Sequence, residues 1–320
     1  MRAMRFHEHG GPEVFRADDV PLPDPGPGQA RIKLEAIGVN FIDIYHRMGT
    51  YKVGLPFTPG QEGAGVVDAL GAGVTGLRLG ARVAYAFSGG AYAEYALVPA
   101  DKLVPVPDGV SSIVAAAVML QGTTAHYLAT DTFALGPSHT ALIHAAAGGT
   151  GNLLVQMAKL RGARVIATAS TEAKRALATE AGADAVLPYD DFDTAVRELT
   201  GGKGVDVVYD SVGRDTFDRS LNCLRPRGVL ALFGHASGTV SPVDPLTLMS
   251  KGSLYLTRPT LGNYLQTREE LLRRAGDVLG WLGSGALKAR IDRQLPLSEA
   301  GAAQAALAGR ATTGKVVLIP

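Results

Sequence analysis

Three glycines and a threonine crowd into the run Ala146, Ala147, Gly148, Gly149, Thr150 and Gly151. They lie within Thr140–Asn152 (TALIHAAAGGTGN), which reads as a short apolar strand, a tight turn and the start of a helix at Leu153–Lys159. That order suits the pyrophosphate of a dinucleotide. Glycines let backbone N–H groups approach the phosphates, and a helix N-terminus adds partial positive charge. The run departs from G-x-G-x-x-G, because alanine stands at the first position. A glycine-rich turn alone would say little; between a strand and a helix it points to dinucleotide binding.

A second group of residues bears on which dinucleotide. Arg164–Thr168 (RVIAT) is a β-branched strand arriving about twenty residues after the loop, as a βαβ unit requires. An enzyme using NAD commonly carries Asp or Glu at the end of this strand, on the ribose 2′-OH. Here the positions are Ala169, Ser170 and Thr171, followed by Lys174. Hydroxyls and an ammonium can bind a 2′-phosphate that a carboxylate would repel, so the reading is NADPH rather than NADH. Glu172 argues the other way, but in the first turn of a helix it is explained by the helix dipole.

The elements that must position these residues follow from periodicity. Short apolar runs recur at Asp184–Leu187, Val205–Asp210, Gly228–Phe233 and Ser253–Thr257, with helical patterns at Glu172–Ala181, Phe192–Leu199 and Phe217–Leu224. Strands alternating with helices imply a doubly wound parallel sheet, covered on both faces. The N-terminal part differs. Arg31–Ile37, Gly65–Leu70, Arg82–Ala86 and Ala91–Leu97 are short β segments split by glycines and prolines, which suggests an irregular antiparallel barrel. Ser111–Leu120 and Thr124–Thr130 turn helical. After Arg258 come a helix at Arg268–Leu282, the segments Ala286–Arg293 and Leu297–Ala308, and a last strand, Lys315–Ile319, expected to complete the N-terminal sheet. The chain therefore reads as α/β, with a discontinuous catalytic domain (1–123 and 263–320) around an inserted cofactor domain (124–262) and a cleft between them.

Composition excludes other classes. A chain of 320 residues with 46% hydrophobic side chains supports two cores, and a net charge of +1 without a basic cluster argues against nucleic acid. The one cysteine, Cys223, excludes an intramolecular disulfide and suits a reducing, cytoplasmic setting. It reads as a buried free thiol among Leu221 and Leu224. No stretch has the length of a membrane span, and the N-terminus lacks the apolar core of a signal peptide. His7 and His9 form an H-x-H pair with no third ligand nearby, a hydrogen-bonded strand end rather than a metal site.

The chain resembles the zinc-independent quinone oxidoreductases, the zeta-crystallin-like branch of the medium-chain dehydrogenase/reductase superfamily. The resemblance runs nearly end to end, through HEHGGPE (His7–Glu13), AIGVNFIDIY (Ala36–Tyr45), PGQEGAGVV (Pro59–Val67), HAAAGGTG (His144–Gly151), YDSVGRDTF (Tyr209–Phe217), GSLYLTRP (Gly252–Pro259) and GRATTGKVVLIP (Gly309–Pro320). It implies a GroES-like barrel beside a Rossmann sheet. Zinc-dependent relatives use a catalytic Cys and His and often a four-cysteine structural site. This chain has no cysteine before Cys223, and their G-H-E segment is Gly60, Gln61 and Glu62 here, so no metal is expected.

The resemblance also implies roles. Asn40, Asp43 and Tyr45 would orient and polarise an acceptor carbonyl, Asn40 and Tyr45 donating hydrogen bonds to it or, as cofactor-binding residues, holding the nicotinamide amide and ribose. Helix capping is the competing reading of Asn40 and Asp43, and a core aromatic that of Tyr45. Tyr127 would lie near the nicotinamide and ribose, Gly149 and Thr150 at the pyrophosphate, Ser170 and Lys174 at the 2′-phosphate, Tyr189 at the adenosine, and Arg310 would reach the cofactor. The competing reading of Arg310 is a surface arginine in the last turn of a helix. Ser211, Phe233 and Gly234 follow strand ends, where open α/β sheets bind ligands. The implied activity is NADPH-dependent reduction of a quinone or small conjugated carbonyl, by hydride or by single electrons. The alternatives are a 2-enoyl thioester or alkenal reductase and a non-catalytic NADPH-binding protein, RNA-binding or structural. A homodimer is expected, joined antiparallel through the apolar segment Gly252–Pro259 at a sheet edge.

Overall fold

The computed structural model describes residues 1–320, and the chain folds as two units: Met1–Thr123 with Leu265–Pro320, and Thr124–Tyr264. The first unit opens with an antiparallel pair, β1 (Arg2–Phe6) and β2 (Phe15–Asp19). Its main sheet is built on β3 (Gln29–Gly38), where apolar and polar residues alternate: Ala30, Ile32 and Leu34 are buried while Lys33 and Glu35 are exposed. Helix α1 (Phe41–Arg47) follows, then β4 (Glu62–Leu70), β5 (Arg82–Ala86), β6 (Tyr95–Pro99), β7 (Val104–Pro105) and helix α2 (Ser112–Tyr127). Two helical segments were expected where α2 is continuous. Gly122 does not break it, because a Cβ there would meet the Val278 side chain at 2.8 Å; the glycine allows close helix packing. Residues Leu128–Thr132 extend α2 in a π-helical turn.

In the second unit strands and helices alternate: β8 (Thr140–Ile143), α3 (Gly149–Leu160), β9 (Arg164–Thr168), α4 (Glu172–Glu180), β10 (Ala185–Leu187), α5 (Phe192–Leu199), β11 (Val205–Asp210), α6 (Phe217–Cys223), β12 (Leu224–Leu232), α7 (Pro245–Ser250) and β13 (Tyr255–Thr257). All strand pairs are parallel, in the order β10-β9-β8-β11-β12-β13, with β13 at one edge. This is the doubly wound sheet that the alternation predicts. The strands are apolar throughout because both faces are covered. Leu142, Ile166, Val208 and Leu230 are fully buried, with Phe192 and Val196 of α5 in the same core.

The chain then returns to the first unit with α8 (Arg268–Gly283), β14 (Ile291–Pro296), α9 (Ala300–Ala308) and β15 (Lys315–Ile319). Helix α8 starts at Arg268 because Thr267 and Glu270 close a capping box, each accepting the other's backbone N–H. Strand β15 pairs antiparallel with β3, so the final strand does complete the N-terminal sheet. That sheet runs β14-β15-β3-β4-β5-β7, with β6 also on β3. Ile291–Pro296 is a strand lying parallel to β15, the one parallel pair in a sheet otherwise antiparallel.

Candidate functional site

In the second unit the glycine-rich loop joins β8 to α3. Ala145 adopts φ 51°, the left-handed region, which turns the chain sharply out of the strand. A Cβ on Gly151 would lie 2.4 Å from the Ala145 carbonyl oxygen, so only glycine allows this turn to close on the helix. Helix α3 begins at Gly149, with Gly148 as N-cap and no side chain capping it. The first-turn amides of Gly149, Thr150 and Gly151 therefore end the helix without a side-chain acceptor, at the C-terminal edge of a parallel sheet. That is the donor arrangement a pyrophosphate requires, and the residues present fit it.

The other cofactor candidates in this unit lie along the same edge. Ser170 is exposed just beyond β9. Thr171 caps α4, its Oγ1 accepting the Lys174 N–H at 3.2 Å, so one of the two hydroxyls is partly committed to the helix. Lys174 is half-buried in the first turn of α4. Tyr189 follows β10, and its hydroxyl oxygen accepts the Ala145 N–H at 3.0 Å, which steadies the loop. Ser211 follows β11 and Phe233 follows β12. A Cβ on Gly234 would lie 2.7 Å from the Ser211 carbonyl oxygen, so the β11 and β12 ends approach closely. Tyr127 is buried and stacked on Tyr264, ring centroids 4.0 Å apart at 7°, so one face of its ring is already covered.

The first unit holds a buried polar cluster around Asn40. The Asn40 amide donates to Glu62 Oε1 at 2.7 Å and to the Gly38 carbonyl at 3.3 Å, while its Oδ1 accepts from Lys315 Nζ at 2.8 Å. Lys315 also donates to Glu62 Oε1, and Glu62 Oε2 accepts the Leu120 N–H at 2.6 Å. Both Asn40 amide protons are thus engaged, and Asn40 is only 3% exposed. In this arrangement the Asn40 side chain ties the start of α1 to Glu62 and Lys315. Asp43 is fully buried and accepts the Asn40 N–H at 2.9 Å and the Tyr92 hydroxyl at 3.2 Å. It too holds the start of α1. Tyr45 is half-buried, its ring edge-on to Tyr51 at 5.4 Å and near Phe41 at 6.2 Å. Arg310 is exposed, at φ 57° just past α9, beyond the helix rather than in its last turn.

Burial pushes the Asp43 carboxyl up to about 7, against the Asn40 amide and Lys315, which hold it down. Its Oδ1 has no hydrogen-bond partner. The folded state therefore binds this proton more tightly than the unfolded chain. Its contribution to stability is present below pH ~4 and lost as pH rises toward 7. Asp43→Asn should remove that slope. By denaturant titration, the stability of the variant relative to the parent should rise by about 3 kcal/mol between pH 5 and pH 8, at ~1.4 kcal/mol per unit over the roughly two units between pH 5 and the folded-state value. A difference that does not change with pH would show that Asp43 is ionised throughout.

Several of these partners were not singled out in the sequence. Glu62 and Lys315 are charges that each head a run of glycine, alanine and apolar residues, a signal that each is paired. In the second unit, His144 and Asp210 are polar residues ending apolar strands, and both are fully buried. Cys223 is buried as expected, its thiol pushed up to about 12 by burial. His7 and His9 are hydrogen-bonded to Asp18 at 2.8 Å and to the Arg47 carbonyl at 3.3 Å, again as expected. No group of three or more His, Cys, Asp or Glu is arranged to hold a metal ion.

Comparison with known proteins matches residues 26–108 to the alcohol dehydrogenase GroES-like domain and residues 149–275 to the zinc-binding dehydrogenase family. The chain is 46% identical to a quinone oxidoreductase of Pseudomonas aeruginosa, covering 100% of this chain and 99% of that protein. It is 44% identical to a 2-haloacrylate reductase of a Burkholderia species, covering 98% of each. The crystal structure of Escherichia coli quinone oxidoreductase complexed with NADPH superimposes with a TM-score of 0.98 at 43% identity, covering 100% of both chains. The uncapped helix start, the parallel sheet and these full-length likenesses place the chain in the quinone oxidoreductase family of the medium-chain dehydrogenase/reductase superfamily.

Proposed function

We propose that this protein is an NADPH-dependent reductase of quinones or other small conjugated carbonyls, working without a metal. The observation that carries the reading is the glycine-rich loop ending in an uncapped helix start, with Ala169, Ser170 and Thr171 rather than a carboxylate at the very end of the next strand and Lys174 in the helix that follows. NADPH, when bound, supplies the hydride. The first-turn amides of α3 bind its pyrophosphate, Ser170 and Lys174 its 2′-phosphate, and Ser211, Phe233, Gly234 and Arg310 are further contacts. Tyr45 offers a hydroxyl to the acceptor, while Asn40 and Asp43 hold the helix that carries it. A strong acid at the acceptor is unnecessary, because a quinone accepts hydride readily and its developing oxyanion needs only donors and a proton from water.

The likeness to a 2-haloacrylate reductase favours a second reading within the same chemistry, reduction of a carbon–carbon double bond conjugated to a carboxyl or carbonyl group. NADPH oxidation against quinones, alkenals, 2-haloacrylate and enoyl thioesters separates the two. Quinones should turn over fastest; a clear preference for an alkene would reverse the assignment. Activity should survive exhaustive chelation, and metal analysis should find no stoichiometric zinc. Activity lost on chelation and restored by zinc would refute metal independence.

The same reading includes a cytoplasmic homodimer with no nucleic-acid partner. No helix is long and apolar enough to cross a membrane. Strand β13 is an edge strand, and Tyr255, Leu246 and Met249 near it are each over 60% exposed. Antiparallel pairing with a second copy would cover that edge and those side chains. Sedimentation at micromolar concentration should give twice the chain mass; a monomer would contradict the pairing.

A further inference from the structure

Beneath the cofactor edge of the second unit runs a buried chain of hydrogen bonds that the proposed chemistry does not use. The His144 ring has Nδ1 at 2.8 Å from Thr168 Oγ1 and Nε2 at 2.9 Å from Ser220 Oγ. Ser220 Oγ donates to Asp210 Oδ2 at 3.1 Å, and Thr216 Oγ1 donates to the same oxygen at 2.7 Å. His144, Thr168, Asp210 and Ser220 are all 0% exposed.

The directions of these bonds are determined. A buried carboxylate only accepts, so the one Ser220 proton goes to Asp210. Ser220 must then accept from His144, which puts the imidazole proton on Nε2. Nδ1 is left as an acceptor, and Thr168 donates to it. Burial holds the imidazole below its usual range, the Asp210 carboxylate opposing this and the Arg219 guanidinium adding to it, so the ring is neutral.

Each end of the chain continues into a segment that meets the proposed cofactor. The Thr168 carbonyl accepts the Ala146 N–H at 3.1 Å, inside the glycine-rich loop, and Ser170 follows two residues later. Asp210 Oδ1 accepts the N–H groups of Val212 at 2.8 Å and Gly213 at 3.0 Å, which shapes the turn carrying Ser211. The Asp210 carbonyl accepts the Phe233 N–H at 2.8 Å. The His144 ring also lies 6.0 Å from that of Tyr189, at 21°, and Tyr189 holds the Ala145 N–H. One imidazole thus ties together the ends of β8, β9 and β11, and through Asp210 the end of β12.

We infer that His144, as the neutral Nε2–H tautomer, is a positioning residue for dinucleotide binding that sets the spacing of the strand ends contacting the cofactor. The inference rests on the NADPH reading above. It differs from the role proposed for Lys174, because it concerns the parts of the dinucleotide that NADPH and NADH share.

His144→Phe keeps a ring of similar size without nitrogens. His144→Gln restores one acceptor and one donor. Dissociation constants for NADPH and NADH should be measured well below each variant's unfolding temperature. His144→Phe should weaken both cofactors by a similar factor, roughly tenfold, raising KM for NADPH more than it lowers kcat, and His144→Gln should recover most of the loss. Unchanged dissociation constants despite a lowered unfolding temperature would overturn the inference and leave His144 a stability residue. So would a loss confined to NADPH. If His144→Phe does not fold, Ser220→Ala tests the same link and should weaken both cofactors, unchanged affinity again overturning it. Nitrogen-15 correlation spectra of the parent protein should show the proton on Nε2; a proton on Nδ1 would also overturn it. A parent protein that binds neither cofactor would instead refute the function proposed above.

Discussion

Lys315→Met should lower the unfolding midpoint of this protein by on the order of 10 °C. Lys315 is 2% exposed and its ammonium is paired with Glu62, whose side chain is fully buried. Methionine fills most of the lysine volume, so packing changes little. What remains is a buried carboxylate that has lost its countercharge and keeps only the Asn40 and Leu120 N–H donors. Breaking a buried ion pair from one side costs about 3–5 kcal/mol, most of it the penalty of the stranded charge. The double variant Lys315→Met, Glu62→Gln removes that charge and should regain more than half of the loss. Thermal melts of the three proteins decide the matter. A single variant within about 2 °C of the parent, or a double variant no better than the single, would show that the pair does not hold the fold.

The second large effect concerns affinity. Lys174→Ala should weaken NADPH roughly 10- to 100-fold, because a charge-assisted hydrogen bond contributes about 1.5–3 kcal/mol and each ~1.4 kcal/mol is a factor of ten. The lower end is expected, since Lys174 is half-buried and solvent screens part of the interaction. NADH, with no phosphate at that position, should be nearly unaffected. Ser170→Asp should go further, repelling the 2′-phosphate while offering the ribose diol of NADH an acceptor. Dissociation constants of both cofactors for both variants test this. If Lys174→Ala weakens the two equally, or neither, specificity is set elsewhere.

Much of the second unit could be read from local pattern. Runs such as VDVVYD at β11 are short, apolar and bounded by turns, so periodicity alone separates them from the helices between. The glycine loop was legible because its spacing is a backbone requirement, seen again in the contact a Cβ on Gly151 would make. Strand β14 (IDRQLP) was harder. It is an edge strand with no fully buried residue, and only its pairing with β15 makes it a strand. Helix α7 (PLTLMS) is a short turn set by Pro245 and the Asp244 cap, too brief for a period to show.

The site divides the same way. Loop residues that act through backbone amides are visible in the sequence. Residues that act through distant partners are not. Asn40 was singled out by resemblance, but its amide is oriented by Glu62 and by Lys315, 22 and 275 positions away. Similarly, His144 meets Ser220 across 76 positions. A strand-end histidine hints at a buried partner without naming it.

The return of the chain to its first sheet has a consequence for synthesis on the ribosome. The unit Thr124–Tyr264 has all of its sequence once residue 264 is made, so it can fold while translation continues. The earlier-made residues 1–123 must wait. At about 5–20 residues per second, Leu265–Pro320 takes on the order of 3–10 s to emerge. During that interval the partner edge of β3 is unoccupied, and Glu62 has no ammonium to meet. Vectorial folding here runs against the order of the chain: the inserted unit matures first, and the half-made sheet that preceded it is the stretch of nascent polypeptide most in need of a chaperone.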